Sequence, residues 1–488
     1  MGHKESYVRR WVLAVLLAWA GTGWSAAPAA YDSLKGAQFD QFIMRLKAEP
    51  SLLAQDRTLS FRLSTTQWDQ MVQALDLDHY TWVYAPTVKA SQSPQLAGKR
   101  IETLSVLAVR SGQLVPIPFQ IDERDTDGWV YAPGVSGAIQ GAEGIFDGED
   151  ELVFMYRDTG SERLDPAAHR LDDGRIVQEL TFRYNGKTRH AYVAEDSRRR
   201  DPSDYVQYDQ EKWTLDATFF NFRNNPKNIL KFEDFRANAG PTPEHRVLDT
   251  LILEIATGVV VPWPRVTVDI ENLKAELAGV KHGPVREVLK LKIWVVVAGI
   301  PVFRILTDMT VYDQGISLPV KLHIPGGEIL TRVLNKPVID IGLDMNDMRG
   351  GRFAAAINPS GQYHAVDGQV SAAEEQLDIR IPDATWLWLE SGRGWDVVMQ
   401  FDIPPDWPVE GRGTYVDSAK PKQSYDYETF PHALPRFGFQ VTKLPVGKLD
   451  IDLTAVLWFP ATVGSAGPEQ FIRNMDNPPR LEARAPAL

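Results

Sequence analysis

The chain has 488 residues, more than one hydrophobic core usually supports, so two domains or one large β-domain with additions is expected. Apolar residues at 44% and charged residues at 24% exclude wholesale disorder. A net charge of -12 argues against a nucleic-acid partner, because gripping a phosphate backbone needs clustered Lys and Arg.

The first residues carry Arg9 and Arg10, an apolar run from Trp11 to Ala20, and small residues from Ser25 to Ala30. This order predicts a secretory signal peptide over residues 1–27, with the mature chain starting between Ala26 and Tyr31. The apolar run is about half the ~20 residues that a membrane span requires, and the mature chain is expected to hold no transmembrane segment. Cysteine is absent, which excludes disulfides and a lipid-anchored cleavage site. The expected location is a bacterial periplasm or the extracellular space.

Residues 31–80 predict a helical lead-in. Phe39, Phe42, Ile43 and Leu46 recur at helical spacing, and a second helix over Gln67 to Leu75 follows Ser64-Thr65-Thr66. Short β-type runs bounded by Gly, Pro, Asp or Asn then begin and continue to about residue 460. The segment Val288 to Leu306 is apolar, but Lys290, Lys292 and Gly299-Ile300-Pro301 interrupt it, so it reads as two strands and a turn. The fold class is therefore mainly β: a large antiparallel sandwich or supersandwich with a short helical lead-in. Its expected divisions are an N-terminal β-domain over 81–240, a C-terminal β-sandwich over 241–460 and an extended tail over 461–488.

The segment from Pro118 to Gly160 holds ten acidic residues against Arg124 and Arg157. Glu123, Asp125, Asp127 and Gly128 reproduce the first half of a calcium loop, with alternate oxygen donors and a glycine at the turn. Position 12 of that loop is Gly134, which rules out an ordinary EF-hand. The remaining ligands would come from Asp147, Asp150 and Glu151, carried back by the glycine-rich segment Gly134 to Gly144. One structural calcium ion is the expected cofactor, and no organic cofactor is expected. A further acidic turn at Asp340, Asp344 and Asp347 reads as solvated loop.

Gln120-Ile121-Asp122, Asp125-Thr126-Asp127-Gly128 and Asp150-Glu151-Leu152-Val153-Phe154 resemble a signature of uncharacterised secreted bacterial β-proteins, some associated with polysaccharide utilisation. Gly283-Pro284-Val285-Arg286, at the head of a strand, is similar to a turn in the same kind of protein. The resemblance implies a galactose-mutarotase-like supersandwich and an exported protein. It covers about 50 residues and departs at the glycine-rich insertion.

No G-x-S-x-G elbow, phosphate loop, dinucleotide fingerprint or zinc motif is present, and catalytic residues are not assigned. Trp386 and Trp388 alternate along one strand and share a face, and Tyr425 and Tyr427 lie among polar neighbours. Exposed aromatics stack on sugar rings, which makes these four the candidate ligand-binding residues. The reading is an exported, non-catalytic, glycan-binding protein. The alternatives are a carbohydrate-active enzyme, lyase or glycosidase, with paired carboxylates, and an accessory subunit of a bacterial envelope complex that binds an envelope protein.

Overall fold

The computed structural model describes residues 34–55, 63–238, 245–259, 266–297, 300–324, 334–359, 361–381, 385–402, 410–422, 425, 427–443 and 449–486. The segment read as a signal peptide lies outside them. Among the described residues no helix is long and apolar enough to cross a membrane.

The lead-in is helical, as expected. Ala37–Ala48 buries Phe42, Ile43 and Leu46. Thr65–Ala74 starts on a capping box, in which the Ser64 hydroxyl accepts from the Gln67 amide and the Gln67 side chain accepts from the Ser64 amide. Trp68 carries this helix onto the β-core by packing on Phe219, with ring centroids 5.9 Å apart.

The rest is built from antiparallel sheets. A nine-stranded sheet runs in the order Leu273–Lys281, Arg286–Val297, Ile300–Tyr312, Gly315–Ile324, Leu449–Trp458, Asp396–Asp402, Trp386–Glu390, Arg352–Ala355, His364–Ala365. A six-stranded sheet runs Val266–Val268, Leu248–Val259, Leu334–Met345, Ala433–Lys443, Glu410–Ser418, Arg380–Ile381. They pack face to face through Phe401 on Phe439 and Phe353 on Tyr415, at 4.4 and 3.9 Å between ring centroids. The apolar segment with two lysines forms the two strands expected of it, Arg286–Val297 and Ile300–Tyr312, paired from Arg286 opposite Tyr312 to Val297 opposite Ile300.

Among the described residues four smaller sheets come largely from the first half. The one nearest the site has three strands, in the order Thr87–Lys89, Glu151–Phe154, Phe119–Asp122. The division expected near residue 240 does not separate two cores, because one cluster of buried side chains runs from Phe42 to Ile472. Arg157 helps to join the halves. It is buried between the Trp82 and Tyr205 rings and pairs with Asp313 at 2.5 Å.

The tail corrects the sequence reading. Instead of extended coil, Pro468–Asp476 is a helix that sets Phe471 against Tyr80, and Arg480–Arg484 is a strand paired with Arg175–Tyr184. The helix has only nine residues, too few for its Phe471, Ile472 and Met475 spacing to stand out beside Asn477-Pro478-Pro479.

Candidate functional site

The acidic stretch folds over one face of the nine-stranded sheet, and the space between them is a cleft of about 550 Å³. The floor follows from the period of two along a strand. Asp308, Thr310 and Tyr312 project to one face, opposite Lys290, Val288 and Arg286 on the neighbouring strand. Ser317 and Pro319 continue the floor on the next strand. Strand Thr87–Lys89, Arg124 and Gly128 to Val130 form the walls, together with Gln140 and Glu149.

At one end of the floor the two familiar sequence patterns meet. Gln120 donates from Nε2 to both oxygens of Asp122 at 3.0 Å, and its Oε1 accepts from the amides of Val285 and Arg286 at 3.0 and 2.9 Å. Gly283 is required by this approach, since a Cβ there would fall 2.2 Å from Gln120 Oε1. The turn delivers Arg286 into a buried fork: Nε donates to Asp122 at 2.8 Å, Nη2 to Glu151 at 2.7 Å, and Nη1 to the Tyr312 hydroxyl at 3.1 Å. The other oxygen of Glu151 pairs with Arg124. Burial would push Glu151 up, but the guanidiniums of Arg286 and Arg124 outweigh it and hold the carboxyl below its ordinary value.

The second buried pair is Lys290 with Asp308, at 2.9 Å. Asp308 also accepts from the Val130 amide at 2.9 Å, and Lys290 donates to the Val130 carbonyl at 2.5 Å, so this pair clamps the acidic stretch to the sheet. Burial nevertheless leaves Asp308 above the ordinary carboxylate range. Lys89 pairs with Glu149 at 2.6 Å on the rim. The cleft thus presents three cations (Lys89, Arg124, Arg286) and three anions (Glu149, Glu151, Asp308), each engaged with a partner of opposite sign, beside hydroxyls, amides and the half-buried rings of Trp129 and Tyr312.

The six residues expected to hold calcium divide. Asp125 Oδ1 accepts from the amides of Asp127 and Trp129 at 3.1 and 2.9 Å, so the Asp-x-Asp-Gly spacing serves a turn, with Gly128 at φ 80°. Asp127 is exposed, and Glu151 belongs to the arginine fork. Asp150 takes the amides of Arg124 and Asp147 at 3.1 and 3.0 Å, which joins the two acidic turns. Burial pushes Asp150 up to about 6, with the charges of Asp147 and Glu123 adding to the shift. Among the described residues no three His, Asp or Glu converge as a metal-ligand group.

The four candidate aromatics lie far along the chain from this cleft. Trp386 and Trp388 are a correction: they share a face, but that face is buried, and Trp388 Nε1 donates to the buried Asp396 at 3.3 Å. Both faces of their strand are covered, so alternation did not mark a solvent side. Tyr425 and Tyr427 stack on each other at 5.3 Å and are half-buried rather than openly displayed. The Arg436 guanidinium lies 4.6 Å over Tyr425 while pairing with Asp344 and Glu428 at 2.7 and 2.5 Å. Asp340 and Asp344 are strand residues, and Asp344 is fully buried, so they are not the solvated turn that the sequence suggested.

No protein-family model matches the chain, and no curated protein does. Among solved structures it is similar to an alpha-mannosidase from Enterococcus faecalis V583, with a TM-score of 0.39 and 10% identity over 80% of this chain and 47% of that one. The aligned part spans less than half of that protein, and at this level the likeness assigns neither substrate nor chemistry.

Proposed function

We propose that the protein is an exported bacterial binding protein that holds a saccharide in the cleft beneath the acidic stretch, without chemical turnover. The observation that carries this reading is the lining. Its charges balance, and between them stand hydroxyl and amide groups and the Trp129 and Tyr312 rings. A saccharide presents the same mixture: hydroxyls that both donate and accept, and apolar C–H faces that stack on rings. An anion would meet Glu149, Glu151 and Asp308; a cation would meet Lys89, Arg124 and Arg286. Glycoside cleavage needs one carboxylic acid ready to give a proton. Glu151 is held ionised by two arginines, and Asp308, although burial raises it, spends both oxygens on Lys290 and the Val130 amide, so we read the cleft as a binding site rather than a hydrolytic one.

The test is calorimetric titration with a panel of neutral and uronate oligosaccharides, repeated with Trp129→Ala. A neutral saccharide is expected to bind, and loss of the ring should weaken it about tenfold, the value of one good stacking contact. Shortened products in the same mixtures, or no binding by any saccharide, would overturn the reading.

A structural calcium ion in the acidic stretch belongs to the same proposal. It is supported by Asp147 Oδ1, which is buried without a hydrogen-bond partner, and by the charges of Asp147 and Glu123 that both act on Asp150. Calcium should then raise the melting temperature with the logarithm of its concentration. Identical melting curves in calcium and in chelator would remove the ion from the account.

A further inference from the structure

A second cavity, of about 460 Å³, lies beside the cleft. Thr87 and Gln92 line both, so strand Thr87–Lys89 and the short turn after it stand between two adjacent spaces. The far wall is Pro479, Arg480 and Leu481, from the strand that the C-terminal segment adds beside Arg175–Tyr184. Tyr84 faces this second space as Tyr312 faces the first, and the two phenols are close enough that burial, reinforced by Tyr312, lifts Tyr84 to about 12.

From this adjacency we infer that the ligand is a chain: an uncharged oligosaccharide that starts on the Arg286 floor, crosses the sill of Thr87 and Gln92 and continues against Tyr84 and Leu481. The inference rests on the saccharide reading of the first cleft. Each cavity lies within the size range of a small-molecule site, so one ring or a pair of rings leaves the second space unused. The chemistry of the two spaces suits successive units of one chain. The first is crowded with paired charges that fix one unit by hydrogen bonds. The second has Arg480 as its single charged lining residue, and the partly exposed Tyr84 and Leu481 offer apolar surface to the face of a following ring. An acidic chain gains no net attraction along this path, because the charges of the first space balance and Arg480 is exposed to screening.

The experiment is a length series of one neutral oligosaccharide, from disaccharide to hexasaccharide, titrated into the full chain and into Arg480→Trp and Tyr84→Phe. Affinity should rise about tenfold once the chain is long enough to cross the sill, the increment of a further stacked ring. Arg480→Trp, which fills the second space from an exposed position, should erase that increment, and Tyr84→Phe, which keeps the ring, should preserve it. Melting curves and disaccharide binding report whether each variant is folded. Affinity that is flat with length, or an increment that survives Arg480→Trp, overturns the chain inference and leaves the first reading standing. No binding at any length overturns the first reading itself.

Discussion

Arg286→Ala should be among the most damaging single substitutions in the molecule, costing about 3–5 kcal/mol, the usual loss when a buried ion pair is broken from one side. Asp122 is completely buried and Glu151 nearly so, and both lose their principal cation when the guanidinium is removed. Arg286→Lys should recover only part of the loss, since an ammonium cannot reach Asp122, Glu151 and Tyr312 from one planar fork. Saccharide binding should fall with the alanine variant even under conditions where it is folded, because Arg124 is then the remaining partner of Glu151 in the wall of the cleft. Urea unfolding of the three proteins gives the check. A loss under 1 kcal/mol for alanine would mean that solvent already reaches the fork.

The second large effect is a pH dependence centred on Asp396. This residue is 3% exposed, and its Oδ2 accepts from the Val463 amide at 2.8 Å and from Trp388. Burial, opposed by the Val463 amide and helped by Glu390, raises its pKa from 3.8 to about 8. The folded state therefore keeps a proton that the unfolded chain releases near pH 4. This group's contribution is complete below pH 4 and is lost as pH rises to about 8, at up to ~1.4 kcal/mol per pH unit. Asp344 and Glu287, both raised to about 7 chiefly by burial, act in the same direction, whereas His79, His190 and His245, held below 6.5 by burial, oppose it up to that pH, so the wild type should soften most steeply between pH 6.5 and pH 8. Asp396→Asn keeps an oxygen for the Val463 amide and cannot ionise. Its melting temperature should fall less over the same range, and parallel curves for the two proteins would show that Asp396 does not carry the effect.

Much of the fold was legible because it is written in local patterns. Ser64 and Gln67 stand at capping-box spacing, and Lys290 and Lys292 interrupt an apolar run that forms two paired strands. The cleft was half legible. Gln120, Asp122, Glu151 and Arg286 each belong to a short pattern visible in the sequence, but nothing local says that Gln120 receives the amides of a turn 165 residues away. The floor was hidden for a different reason. Asp308, Thr310 and Tyr312 alternate with Met309 and Val311 as on any half-exposed strand, and only the loop folded above turns that polar face into a site. The aromatics misled in the opposite way. Alternation put Trp386 and Trp388 on one face, but a strand in the middle of a layered molecule has no outer face.

The pairing of Arg480–Arg484 with Arg175–Tyr184 has a consequence for how the molecule assembles. Arg183 and Glu482 meet across 299 residues of chain, so a sheet whose other four strands come from residues 105–195 is finished by a segment made long after them. Until it arrives, a ten-residue strand rich in Ile, Val, Leu and Phe shows an open edge, the kind of surface on which a second nascent chain can pair. Pairing over such a distance is slow, because the loop must close before any contact rewards it. Aggregation of partly made chains is therefore expected to begin at this edge rather than at the cleft.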